Sequence, residues 1–211
     1  KPMADIDGKP FLFYLLSYLS ALEFEKIILS VGYLGQQIID YFGNEFKGMA
    51  IEYEYEIAPM GTGGAVKLSL THTDEPLVFV LNGDSFCRFD PKVLINTAKG
   101  NECEAVLACC PVDNIHRYGG VSISDGVIVS FNEKGASGPG VINSGIYLMR
   151  RDCLDSFAFE ARFSLEEDFF AFESVKGTLR ADVLDSYFID IGTPEDYLRL
   201  QTEIESIYSF E

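Results

Sequence analysis

Apolar residues recur along this chain with two different periods, and the alternation between them outlines the elements. Residues 26–32 (KIILSVG) form a short, nearly unbroken apolar run, the pattern of a strand buried on both faces. Residues 34–42 follow with Leu34, Ile38, Ile39 and Phe42 at helical spacing. Residues 51–57 alternate as a strand, and 65–70 read as a short helix. Residues 75–89 (EPLVFVLNGDSFCRF) carry an apolar run that ends on Asn82-Gly83-Asp84-Ser85. A helix over 91–99 and a strand over 105–111 follow. Strand and helix in this rhythm predict βαβ units. The expected fold is therefore α/β and Rossmann-like, with a mostly parallel central sheet flanked by helices.

The second half changes character. Residues 121–123 and 127–131 flank Asp125-Gly126, a hairpin signal. Residues 141–149 read as a longer strand and 187–191 as a short one, which adds a small antiparallel portion. The last helix begins at GTPEDY, with Thr193 as N-cap, Pro194 in the first turn and Asp196 three residues after the cap. A helix over 10–22 (PFLFYLLSYLSAL) is preceded by nine residues with no strand. A doubly wound fold ordinarily opens with a strand and a phosphate-binding turn, so both are expected ahead of Lys1. No internal repeat, low-complexity linker or composition break divides the 211 residues, and 1–211 is expected to be a single domain.

Composition narrows the chemistry. Acidic residues outnumber basic ones 33 to 16, a formal net charge of −17, which disfavours a nucleic-acid backbone as partner. It leaves room for a small anionic ligand held by a few lysines, backbone N–H groups and a divalent cation. No apolar stretch reaches membrane-spanning length, so no membrane partner is expected. The five cysteines are odd in number and lack C-x-x-C spacing, which points to reduced thiols in the cytoplasm rather than disulfides or structural zinc.

Five stretches carry candidate chemistry. In APMGTGGAV (58–66) small residues between a strand and a helix allow close backbone approach to a ligand, although an ordinary glycine-rich loop reads the same way. It is neither a Walker loop nor a dinucleotide fingerprint. Gly83-Asp84 lies at the end of an apolar strand, where open α/β sheets bind ligands and where a carboxylate could hold magnesium; a plain turn is the alternative. Asp190 interrupts an apolar strand, and a buried carboxylate requires a cation or several donors. Glu133-Lys134 in FNEKG is a solvated loop unless a phosphate lies nearby. Asn143-Ser144-Gly145 interrupts a strand as a bulge or a ligand contact. Beyond these, Ser164-Leu165-Glu166-Glu167 reads as a capping box, and His72 and His116 have no partner spacing.

Taken in order, KPMADIDGKPFL, PMGTGGA, LNGDS, YGGV, NEK, INSGIYL, SLEEDFF and FIDIGTPEDY resemble the sugar-phosphate nucleotidyltransferases of GT-A-like fold, over essentially the whole chain. The pairing of KPMADI with MGTGGA looks most like the D-glycero-α-D-manno-heptose 1-phosphate guanylyltransferases, with mannose, glucose and N-acetylmuramate 1-phosphate nucleotidyltransferases as alternatives. The resemblance implies that a nucleoside triphosphate, GTP foremost, and a sugar 1-phosphate give a nucleotide sugar and pyrophosphate. It implies Mg²⁺ held by Asp84 and Asp190, with Lys1 at the nucleotide phosphates and Lys134 at the sugar phosphate. Gly61, Thr62, Gly63, Gly64, Asn82 and Gly83 would serve the nucleotide. Tyr118, Gly119, Glu133, Asn143, Gly145 and Glu166 would line the sugar pocket. A homo-oligomer is compatible with this resemblance. The family's G-G-x-G-T-R loop would precede Lys1. A non-catalytic nucleotide-sugar sensor is the competing class, and a glycosyltransferase is disfavoured because Asn82-Gly83-Asp84 is not D-x-D.

Overall fold

The computed structural model describes residues 1–132, 135–155, 157 and 162–208, with the side chains of 206–208 excepted. Its contacts fall into two compact units. One comprises residues 1–59, 83–88 and 187–211, the other 60–82 and 89–186. Among the described residues, no helix is long and apolar enough to cross a membrane.

The first unit is organised on helix Phe11–Ala21, whose Phe11, Leu12, Tyr14, Leu15, Leu16, Tyr18 and Leu19 are all buried. A helix apolar on nearly every side belongs inside a core. Pro10 offers it no side-chain cap. Its first N–H groups are instead met by the chain before it, Phe11 N donating to Ala4 O at 2.9 Å and Leu12 N to Pro2 O at 2.9 Å. Strand Lys26–Val31 runs parallel to Met49–Tyr55, with helix Gly35–Phe42 between them in sequence. Glu45–Phe46 adds an antiparallel edge. A separate antiparallel pair joins Ser85–Cys87 to Phe188–Asp190, and its Phe86 ring lies 5.1 Å from that of Tyr18. Helix Pro194–Tyr208 begins as expected. Thr193 Oγ1 accepts from Asp196 N at 3.2 Å and donates to Asp196 Oδ2 at 2.8 Å.

The second unit holds a six-stranded sheet in the order Leu77–Leu81, Gly140–Arg150, Ala105–Val112, Leu179–Val183, Val127–Phe131, Val121–Ser124. Its core gathers Leu107, Cys109, Ile128, Tyr147, Met149, Phe169, Phe170 and Leu179. The α/β class is as expected, but the sheet is mixed rather than mostly parallel. Among the described residues of this sheet, only Leu179–Val183 on Ala105–Val112 is parallel; the long Gly140–Arg150 strand runs antiparallel to both its neighbours. An unbroken apolar run reports burial on two faces and is blind to strand direction, which explains the difference. The apolar run in 75–89 is likewise two strands, Leu77–Leu81 and Ser85–Cys87, which pair in different sheets.

Candidate functional site

In the first unit, the short ladder brings two of the expected carboxylates together. Asp190 pairs with Ser85, and Ile191 N donates to Asp84 O at 3.0 Å, so Asp84 and Asp190 occupy the same end of the ladder. Asp190 is held by its own turn. Its Oδ1 accepts from Gly192 N at 2.7 Å, an Asx turn that leads directly into the Thr193 cap. A Cβ on Gly192 would stand 2.9 Å from that oxygen, so a glycine leaves the carboxylate room. The helix that follows is capped by Thr193, as expected, and not by Asp190.

Lys1 joins the same place. Its Nζ lies 3.1 Å from Asp84 Oδ2, with the two side chains 54% and 34% exposed. So exposed a pair contributes at most about 1 kcal/mol to stability. Its significance is placement: the Lys1–Pro2 segment is tied down by Ala4 N donating to Lys1 O at 2.7 Å and by the helix start on Pro2 O. Two aspartates offer hard oxygen donors only, which suits Mg²⁺, an ion that takes one or two carboxylates and completes its octahedron with phosphate oxygens and water. Among the described residues, no group of three or more His, Cys, Asp or Glu forms an all-protein cage. Gly83, next to Asp84, would meet only Pro2 Cγ at 3.5 Å if it carried a Cβ.

The second unit assembles a different group. Helix Gly61–Ser69 starts four residues earlier than the pattern suggested, so Gly61-Thr62-Gly63-Gly64 forms its first turn. The cause is Phe163. Gly61 has φ +71°, and a Cβ there would lie 2.4 Å from Phe163 O; on Gly63 it would lie 2.1 Å from the Phe163 ring. Phe163 N donates to Met60 O and Gly63 N to Phe163 O, both at 3.0 Å. These two glycines are thus required by close packing. Thr62 between them donates from Oγ1 to Glu166 Oε2 at 2.8 Å and accepts from Leu165 N at 2.8 Å.

Glu166 sits on a π-helical turn, Leu165–Phe170, capped by Ser164 Oγ, which accepts from Glu167 N at 3.0 Å. The reciprocal bond comes from Asp168 Oδ2, accepting from Ser164 N at 2.7 Å, not from Glu167. A wider turn, with Phe169 N reaching Ser164 O, moves the reciprocal carboxylate one residue on. From Glu166 the bonds continue: Tyr147 Oη donates to Oε1 at 3.1 Å, and Asn143 Nδ2 donates to Tyr147 Oη at 2.9 Å. Asn143 Oδ1 accepts from Gly145 N at 2.9 Å. A bulge makes this reach feasible. The register jumps from Asn143 opposite Cys109 to Ile146 opposite Ala108. Ser144 Oγ fills the gap by donating to Ala108 O at 2.8 Å.

Thr62, Asn143, Gly145 and Glu166 are therefore brought together, and the residue joining them, Tyr147, is one that sequence reasoning missed. Tyr147 is fully buried. Burial, and next the negative charge of Glu166, push its phenol well above the ordinary tyrosine range, so it remains a hydrogen-bond donor. A polar tip in the otherwise apolar IYLM run was the available signal. Phe163 had none, because it meets the glycines from a distant part of the sequence.

Of the remaining expected residues, Asn82 follows strand Leu77–Leu81 and donates from N to Gly145 O at 2.9 Å, next to Asn143. Tyr118 and Gly119 close a turn, both donating from N to Ile115 O at 3.0 Å, with Gly119 at φ +76°. Glu133 and Lys134 lie outside the described residues. His116 Nδ1 lies 3.0 Å from Gly135 O, a loop contact.

The chain belongs to the Nucleotidyl transferase family, whose pattern it matches over residues 1–207. A D-glycero-alpha-D-manno-heptose 1-phosphate guanylyltransferase from Campylobacter jejuni is 41% identical over 198 residues, 93% of this chain and 87% of that protein. One of the same name from Aneurinibacillus thermoaerophilus is 37% identical over 205 residues, 97% and 89% of the two chains. HddC from Yersinia pseudotuberculosis, also solved in complex with GMP-PN, has a TM-score of 0.87 at 35% identity, over 96% of this chain and 89% of that one. A putative glucose-1-phosphate thymidylyltransferase from Bacillus anthracis, at 19% identity and a TM-score of 0.82, shares the fold.

Proposed function

We propose that this protein condenses GTP with D-glycero-α-D-manno-heptose 1-phosphate, releasing pyrophosphate and forming the GDP-heptose. The observation that carries the chemistry is the pairing of Asp190 with Ser85, which delivers Asp84 and Asp190 to one ladder end beside Lys1. The choice of substrates is supported by relatives 37% and 41% identical that are named for this reaction, and by the GMP-PN complex of HddC.

In this reaction a phosphate oxygen of the sugar 1-phosphate attacks the α-phosphorus of the nucleotide. A new P–O bond forms, the bond between the α-phosphorus and the bridging oxygen breaks, and its electron pair leaves with pyrophosphate. The nucleophile is anionic at neutral pH and needs no general base. The barrier lies in bringing two anions together, which calls for fixed cations and donors. Lys1 supplies positive charge at the nucleotide phosphates, and Lys134 holds the sugar phosphate. Asp84 and Asp190 would hold Mg²⁺, which when bound neutralises phosphate charge and polarises the phosphoryl oxygens. Gly61 to Gly64, Asn82 and Gly83 serve the nucleotide. Tyr118, Gly119, Glu133, Asn143, Gly145 and Glu166 receive the sugar. The five cysteines form no disulfide among the described residues, which suits a cytoplasmic enzyme.

Pyrophosphate release from the full-length protein, with each nucleoside triphosphate against heptose, mannose and glucose 1-phosphates, tests this. GTP with the heptose phosphate is expected to give the highest kcat/KM. A preference for another base or sugar would overturn the substrate choice, and no turnover with any pair would overturn the reaction.

A further inference from the structure

The bonds around Tyr147 have a direction that the residues themselves impose. Glu166 is a carboxylate and can only accept. Tyr147 has one hydroxyl proton and donates it to Glu166 Oε1, so its oxygen must accept from its other neighbour. That neighbour is Asn143, which must therefore present its amide nitrogen. The same orientation follows independently from the other side of the amide, where Asn143 Oδ1 accepts from Gly145 N. Two separate bonds thus fix which way Asn143 points.

A phenylalanine would fill the same space. Tyr147 is 0% exposed, its ring packs edge-on against Phe170 with centroids 4.8 Å apart, and Ile146, Leu148 and Met149 beside it are apolar. A hydroxyl there costs stability unless it is bonded on both sides. The bulge at Ser144-Gly145, with Gly145 at φ +79°, is what lets Asn143 meet it. Packing alone asks for neither the hydroxyl nor the bulge. Asn143 has a second amide proton. Glu166 accepts from Tyr147, Thr62 and Ser164, three of about four lone-pair positions. One donor and one acceptor are thus presented from either side of a single phenol oxygen.

We propose that Tyr147 is a positioning residue that sets the polarity of the sugar pocket. It holds Asn143 as donor and Glu166 as acceptor, so that the pair selects a sugar hydroxyl, or two adjacent hydroxyls, able to accept from one and donate to the other. This rests on the proposal above that the pocket receives a sugar 1-phosphate.

The test is calorimetric binding of D-glycero-α-D-manno-heptose 1-phosphate, α-D-mannose 1-phosphate and their single-deoxy derivatives to wild type and Tyr147→Phe, beside steady-state kinetics. Tyr147→Phe is expected to weaken the parent sugar phosphates about tenfold while leaving the KM for GTP within about twofold. The deoxy derivative most damaging to wild type should cost the variant only about twofold, because the hydroxyl and the phenol act as a pair. Equal losses in both proteins would assign Tyr147 to packing alone and overturn the inference, leaving the proposed reaction standing. If wild type binds none of these phosphates, the proposed function falls and the inference falls with it. Should Tyr147→Phe fail to fold, Asn143→Asp serves. It sets a second acceptor against a phenol whose proton is already committed, and should bind sugar phosphate less well than Asn143→Ala; binding equal to wild type would overturn the inference.

Discussion

The Cβ that Gly63 lacks would lie 2.1 Å from the ring of Phe163. No side chain fits there, and the ring, being buried, cannot simply swing into solvent. Gly63→Ala is therefore expected to destabilise the protein by about 1–3 kcal/mol, the cost of overpacking. Denaturant titration measures it. In a Phe163→Ala background the same substitution should cost almost nothing, and an undiminished cost there would show that the ring is not the cause.

Asp84→Asn and Asp190→Asn should each lower kcat by about 10²-fold or more, the scale of losing one group that stabilises transition-state charge. Neither should unfold the protein. Lys1→Ala should reduce turnover while changing stability by less than about 1 kcal/mol, since its contact with Asp84 is largely exposed. Circular dichroism and melting curves beside the kinetics separate the two effects. Full activity in both aspartate variants would mean that the ladder end is not where the phosphates bind.

Alkaline pH should erode stability through Cys153. Burial, followed by the nearby charges of Glu104 and Asp152, pushes this thiol from 9.0 up to about 12. The folded-state value is raised, so the contribution is complete below about pH 9 and is lost as pH rises toward 12. Across that window the folded protein binds more protons than the unfolded chain, and stability falls by up to about 1.4 kcal/mol for each step of one in pH. Cys153→Ala should flatten the pH dependence of unfolding between these limits. Buried Tyr147 and the raised Tyr187 act in the same direction from about pH 10 upward, inside the same window, so some slope should remain.

The cap at Thr193 offers a local probe. Its hydroxyl accepts from Asp196 N in the segment that follows Asp190. Thr193→Ala is expected to cost about 1 kcal/mol and, by loosening the turn that fixes Asp190, to lower kcat more than the stability change alone would. An activity loss fully explained by the unfolded fraction would separate the cap from the site.

Much of this was legible in the sequence, for identifiable reasons. The Thr193 cap and the Asp125-Gly126 hairpin announce themselves through residues only those geometries favour. Asp84 and Asp190 stood out as carboxylates at the ends of apolar strands, and the antiparallel register supplied what the sequence lacked, their common end of one ladder. Three things were not legible. The helix start at Gly61 contradicts glycine's propensity and is decided by Phe163. Strand direction in the larger sheet leaves no trace in a doubly buried run. Tyr147 sits in an apolar strand run, and its hydroxyl meets Asn143 only once the bulge has folded that side chain toward it.

The central claim is most directly tested by incubating the purified full-length protein with GTP, D-glycero-α-D-manno-heptose 1-phosphate and Mg²⁺, and identifying the products by phosphorus NMR and mass spectrometry. The account predicts GDP-heptose and pyrophosphate in equal amounts, with the formation of both slowed by about 10²-fold or more when Asp84 or Asp190 is replaced by asparagine. Absence of both products from the wild-type protein, or their undiminished formation by the asparagine variants, would contradict it.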